Sequence, residues 1–229
     1  SLPEWSRTSP GRTSITSPTW PPDRPLAKTA PVLAVKNDFP AKTLAEFVAF
    51  AKANPGKVNY ASGNGTSILT TAQMAAAEKL DMAHIPYKAD ADIMREMTAG
   101  SVHLGLSPIQ GAMSPIASGR VRALAVTGSR RISGMPDVPS LKETNIKGLD
   151  GIDPYTYYGI AGPIGMPRPM IDKLNQAINS IAKSPEMVRH VREKLYAEPA
   201  SGTPESFRQY IEVDLRKWKE FGKFVKLTD

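Results

Sequence analysis

The residues with the clearest chemical potential are Ser62, Gly63, Asn64, Gly65, Thr66 and Ser67. They follow a β-prone run, Val58-Asn59-Tyr60-Ala61, and precede an Ala-rich segment, 68–80, that reads as a helix. A turn between a strand and a helix N-terminus gathers free backbone N–H groups at the positive end of a helix dipole, an arrangement that holds an anion. Gly63 and Gly65 let the backbone curl around a ligand without a Cβ clash. Thr66 and Ser67 can cap the helix or donate hydroxyl hydrogen bonds to a carboxylate or phosphate. The run is not a Walker A loop, because no Lys-Ser/Thr pair follows, and it lacks the third glycine of the dinucleotide fingerprint. An ordinary capped turn has the same composition.

Little else in the chain suggests catalysis. There are no cysteines, which excludes a disulfide framework, a thiol nucleophile and thiolate metal sites. His84, His103 and His190 have no metal-like partner spacing, and two of them fall inside expected strands. No Gly-x-Ser-x-Gly elbow and no kinase set is present. Asp90 and Asp92 sit where a helix should start, a position that favours acids for the sake of the dipole. The chain is therefore expected to be no enzyme and to carry no catalytic residue, metal or cofactor. Turn chemistry is richer. Besides the opening loop, three expected strand ends carry polar or turn-prone residues: Tyr87-Lys88, Ser107-Pro108 and Thr127-Gly128-Ser129. In a doubly wound sheet, ligands bind outside the carboxyl ends of the strands.

The elements that must position these loops alternate regularly. Strands are expected at 31–35, 58–61, 83–86, 102–106 and 121–126. Helices are expected at 44–53 (capped by Thr43), 68–80, 90–98 (closed by Gly100) and 109–118. Repeated strand–helix units with short loops predict a parallel α/β sheet covered on both faces. Beyond Thr127 the pattern loosens. Ser140 can cap a short helix, 155–160 reads as an aromatic strand, and helices are expected at 169–183, 185–195 and 204–224, the last capped by Thr203. Residues 1–25 are dense in Pro, Ser, Thr and Arg, with Trp5 and Trp20, and read as an irregular arm.

The totals agree with a globular chain. The 229 residues carry a formal charge of +7, and 41% are hydrophobic, enough for a core without staples. The cations are scattered and no RNA-binding or zinc-finger signature accompanies them, so no nucleic-acid partner is expected. No run of 18 or more apolar residues is present, and Ser1-Leu2-Pro3-Glu4 opens no export-signal pattern.

Several motifs stand in order and resemble a known family. Asn59-Tyr60-Ala61-Ser62 followed by Gly-Asn-Gly-Thr-Ser is similar to the signature of the Bug/TctC solute-binding proteins, the receptors of tripartite tricarboxylate transporters. His84-Ile85-Pro86-Tyr87-Lys88, the stretch Ser118-Gly119-Arg120-Val121-Arg122-Ala123-Leu124-Ala125-Val126-Thr127, Met135-Pro136-Asp137-Val138-Pro139-Ser140, Tyr158-Gly159-Ile160-Ala161-Gly162-Pro163 and Gly202-Thr203-Pro204-Glu205 resemble further family motifs, together covering about 26–229.

The resemblance implies a periplasmic-binding-protein-like type II fold, with an irregular arm at 1–29, an α/β lobe at 30–154, and a hinge strand with C-terminal helices of a partial second lobe at 155–229. It implies a periplasmic receptor that captures a small carboxylate, whether dicarboxylate, tricarboxylate, amino acid or aromatic acid, and works with membrane permease subunits. Ser62 to Ser67 would hold one carboxylate, with Tyr87, Lys88, Ser107 and Pro108 flanking the cleft. The sequence departs from the family pattern at Leu69, where His is common, and at Ser107, where Asp is common. Nothing in 1–25 resembles the family's first-lobe segment, which implies a truncated N-terminus and a homodimer that covers the incomplete lobe; the alternatives to a working receptor are a remnant with no high-affinity ligand and a ligand-sensing effector domain.

Overall fold

The computed structural model describes residues 27–132, 134–146, 149, 156–160, 162–163 and 165–221. The arm with Trp5 and Trp20, Tyr155 of the aromatic strand, and the last expected residues of the final helix lie outside them.

Five strands form the main sheet: β2 (Val32–Lys36), β3 (Val58–Ser62), β4 (Met82–Pro86), β5 (Leu104–Ser107) and β6 (Val121–Val126), in the order β4-β3-β5-β2-β6. β3 runs parallel to β4 and β5, as alternation with helices predicts, but β2 runs antiparallel to both β5 and β6. The expectation of an all-parallel sheet is therefore corrected to a mixed one. β2 is reached from a preceding short strand of another sheet, β1 (Ala27–Thr29), through Ala30 and Pro31 alone. Val32 starts opposite Ser107, so β2 enters from the edge at which the parallel strands end and runs against them.

Both faces of this sheet are covered. The period of two along β2 puts Leu33 and Val35 in one cluster with Leu44, Phe47, Val48 and Ala51 of helix α1 (Leu44–Ala53) and Met74 of α2 (Gly65–Glu78). Val32 and Ala34 join the opposite cluster with Ile93, Met94 and Met97 of α3 (Asp90–Ala99) and Ile109 and Ala112 of α4 (Ile109–Ala117). Cap chemistry sets several helix ends. Thr43 Oγ1 accepts from the Glu46 N–H at 3.2 Å, and Gly100 closes α3 at φ 92°, a conformation glycine adopts freely. Gly105 in β5 lets α3 lie flush on the sheet, since a Cβ there would stand 2.5 Å from Met97 Cε and 2.7 Å from Ile93 Cγ2. His103, expected inside β5, precedes it, and its backbone N–H donates to Asn59 Oδ1 at 2.8 Å.

A second, three-stranded antiparallel sheet has the order β7-β1-β8, with β7 at Thr156–Tyr158 and β8 at Glu198–Pro199. Helices α5 (Arg168–Ala182), α6 (Pro185–Lys194) and α7 (Pro204–Phe221) accompany it. Thr203 Oγ1 accepts from the Ser206 N–H at 3.4 Å, the cap expected before Pro204. Asn179 clamps the turn before α7, donating to Gly202 O at 2.8 Å and accepting from Gly202 N at 3.2 Å. Gln110 of α4 donates to Leu195 O at 2.7 Å and ties the end of α6 to the main sheet's helices. Met170, Leu174 and Ile181 stay exposed along α5.

Candidate functional site

The carboxyl ends of β3, β4, β5 and β6 share one edge of the main sheet, and the start of β2 lies among them. Two backbone hydrogen bonds stitch that edge together: Tyr87 N–H to Ser62 O and Thr127 N–H to Pro31 O, both at 2.9 Å. The loops expected to bind a ligand therefore emerge side by side.

At the centre is Ser62, buried at the end of β3. Its Oγ lies 2.5 Å from His84 Nε2. His84 sits on the edge strand β4, and its ring stacks on Tyr60 with centroids 4.9 Å apart at 27°. Desolvation in this contact holds the imidazole below its usual range and raises the Tyr60 phenol above its own. This favours the neutral imidazole, whose Nε2 can accept the Ser62 proton or donate to Ser62 Oγ.

The following loop is organised by Asn64, which corrects the expected helix start. α2 begins at Gly65, three residues earlier than the apolar pattern indicates, and Asn64 is its N-cap in place of Thr66 or Ser67. Asn64 Oδ1 accepts from the Ser67 N–H at 2.9 Å, while Ser67 Oγ accepts from Asn64 N–H at 3.2 Å and Gly63 N–H at 3.3 Å. This reciprocal capping box turns three of the loop's donors inward. The N–H groups of Gly65 and Thr66 and the Thr66 hydroxyl have no partner among the described residues. They are the open donors at the positive end of the α2 dipole.

The β4–α3 loop is latched onto this one. Asn64 Nδ2 donates to Asp90 Oδ1 at 2.9 Å and Oδ2 at 3.0 Å. Gly63 presses on the same loop, where a Cβ would stand 2.8 Å from Asp90 N and 2.9 Å from the Ala89 carbonyl carbon. Burial pushes the Asp90 carboxyl above its usual range, against the opposing effect of the Asn64 hydrogen bond. Tyr87 packs half-buried against the α3–α4 side of the core, and Lys88 is exposed. Ser107 is fully buried and its hydroxyl donates to Pro108 O at 3.3 Å, so it is the least available of the expected contacts. Pro108 is the N-cap residue of α4 and carries no side-chain cap.

Two participants, His84 and Asp90, were not singled out by the sequence as site residues. His84 depends on the β3–β4 register, which pairs it with Tyr60. Asp90 gave one usable signal, its position two residues after Tyr87-Lys88 at the start of α3. Thr29, two residues before Pro31, has a buried hydroxyl without a partner among the described residues. Among the described residues no group of three or more His, Asp or Glu side chains could hold a metal ion. A concavity of about 440 Å³, lined by Lys36, Phe39, Phe50, Lys57 and His103, lies at the opposite edge of the sheet and shares no residue with these loops.

Residues 22–227 match the family model described as "Tripartite tricarboxylate transporter family receptor". The chain is 32% identical over 198 residues to "UPF0065 protein in tcbD-tcbE intergenic region" of Pseudomonas sp. (strain P51), a match that covers 85% of this chain and 58% of that protein. The chain thus spans less than two thirds of that relative's length. Among solved structures it is similar to "Structure of periplasmic binding protein BugD", with a TM-score of 0.72 and 25% identity over 88% of this chain and 69% of that one. It is also similar in fold to "R. palustris Rpa4515 with adipate", with a TM-score of 0.82 and 23% identity over 93% of this chain and 71% of that one.

Proposed function

We propose, from the premise that the chain belongs to the tripartite tricarboxylate transporter receptor family (TctC), that it captures a small carboxylate at the carboxyl edge of its five-stranded sheet. The observation that carries this reading is the pair of open N–H groups at Gly65 and Thr66, placed at the start of α2 with the Thr66 hydroxyl beside them. Gly63, Asn64 and Ser67 shape the loop, Ser62 and His84 support it from below, and Tyr87, Lys88, Ser107 and Pro108 border it. The adipate carried by a protein of the same fold supports a carboxylate as the ligand class. Family and fold relatives are solute-binding proteins, in keeping with a receptor and against an enzyme.

In this reading residues 30–154 form one lobe, and 155–229 supply a hinge strand and helices of another. The lobes close on the ligand by rotation about the links between the two sheets. The receptor works in the periplasm and passes its cargo to permease subunits. No helix of the described residues is long and apolar enough to cross a membrane. A second copy seated on Met170, Leu174 and Ile181 would cover the apolar stripe of α5.

Calorimetric titration with C4–C6 dicarboxylates, amino acids and aromatic acids tests the reading, and no binding to any of them overturns it. Thr66→Val is expected to weaken binding by about 1.5–3 kcal/mol, the value of a hydrogen bond to a charged group. The thermal unfolding midpoint should stay in place, and an unchanged affinity would remove Thr66 from the site.

A further inference from the structure

We infer that Asp90 sets the charge preference of this site, favouring a ligand that carries a cationic nitrogen beside its carboxylate over one that carries two carboxylates. The inference rests on the carboxylate-binding reading above and names the ligand class within it.

Asp90 is placed where it must act on whatever occupies the loop. Its two carboxylate oxygens accept from Asn64 Nδ2, and the next two residues, Gly65 and Thr66, present the open N–H groups. Gly63 packs directly on the Asp90 backbone and on Oδ1, so no side chain separates the carboxylate from the loop. Among the described residues Asp90 also has no cationic partner. The ion pairs of the described residues join Asp38, Asp92, Asp172, Glu78, Glu96, Glu143 and Glu205 to lysine or arginine, but not Asp90. A half-buried carboxylate held by a neutral amide and the start of the α3 dipole, with no cation beside it, is only partly compensated in a region of reduced dielectric.

Each ligand class meets this arrangement differently. A carboxylate bound at Gly65 and Thr66 brings its remaining groups alongside Asp90. A second carboxylate there meets a like charge, and its desolvation goes unrewarded. An ammonium group there supplies the cation that Asp90 lacks and forms a charge-assisted hydrogen bond. Asp90 therefore has two separable duties. It positions Asn64, which any acceptor could do, and it selects charge, which only an anion can do. Asn at this position keeps a carbonyl acceptor for Asn64 Nδ2 and removes the charge, whereas Ala removes both.

The test is calorimetry on the intact chain with ligand pairs matched in shape and opposite in terminal charge: β-alanine against succinate, and 4-aminobutyrate against glutarate. The native protein is expected to bind the amino member of at least one pair tenfold or more tightly than the dicarboxylate. Asp90→Asn should reverse that order, with tenfold gains for the dicarboxylate and losses for the amine. Asp90→Ala should weaken both members, because Asn64 loses its anchor. If the native protein prefers the dicarboxylate, or Asp90→Asn leaves the ratio of affinities unchanged, the inference is overturned and the carboxylate site stands. If no member of either pair binds, the carboxylate reading fails and takes this inference with it.

Discussion

Gly63→Ala is expected to part the two loops of the candidate site and abolish carboxylate binding. It should also cost the fold at or above the upper end of the about 1–3 kcal/mol typical of overpacking. Gly63 has no left-handed backbone requirement, so the effect is one of space alone. An added methyl would stand 2.8 Å from Asp90 N and 2.9 Å from the Ala89 carbonyl carbon, and both are backbone atoms that cannot swing aside. Relief requires the β3–α2 turn to move away from α3. That movement breaks the Asn64–Asp90 hydrogen bonds and releases the side chain that caps α2. Loss of an N-cap alone is worth about 1 kcal/mol. Urea denaturation and calorimetry on the same variant check both halves of the prediction. Native-like affinity would show that the loops tolerate separation and that the latch is not needed for binding.

Phe47→Ala should have the largest effect on stability, about 3–5 kcal/mol for an aromatic removed from a closed core. Phe47 has no exposed surface, and its ring lies 5.6 Å from Phe39, which in turn meets Phe50 edge-on at 5.0 Å. The cluster fills the α1–α2 side of the sheet, away from the latch between the loops. Stability and binding should therefore separate. The urea midpoint falls steeply, while the folded fraction binds with native affinity. A loss of affinity comparable to the loss of stability would mean that α1 supports the site more directly than its position implies.

What was legible in the sequence was the local part of the fold. Thr43 and Thr203 act as expected because a cap is decided within three residues of itself. The start of α2 was misplaced because Asn64, Thr66 and Ser67 are all able to cap, and the choice among them is tertiary. Asn64 is the one whose amide can also reach Asp90, 26 residues away. The direction of β2 was hidden for a similar reason. Apolar alternation says which face a residue takes but not which way its strand runs; that is decided by the edge at which the chain enters the sheet and by partners far along the chain. The convergence of strand ends on one edge could be anticipated from topology. The Ser62–His84 contact could not, since it depends on the register of two strands 22 residues apart.

The placement of β2 also bears on how the molecule is made. Val32 emerges before its partners Ser107 and Val126, which follow 75 and 94 positions later in the chain. Until β5 and β6 exist, β2 has no neighbour on either side, and its run Val32-Leu33-Ala34-Val35 is apolar on both faces. Closing loops of that size precedes any reward from pairing, so completion of the sheet should be the slow step of folding. During that interval β2, an interior strand of the finished sheet, is an exposed, sticky segment. The two-residue link that joins the sheets in the native state is thus also the point at which the nascent chain most needs protection from other chains.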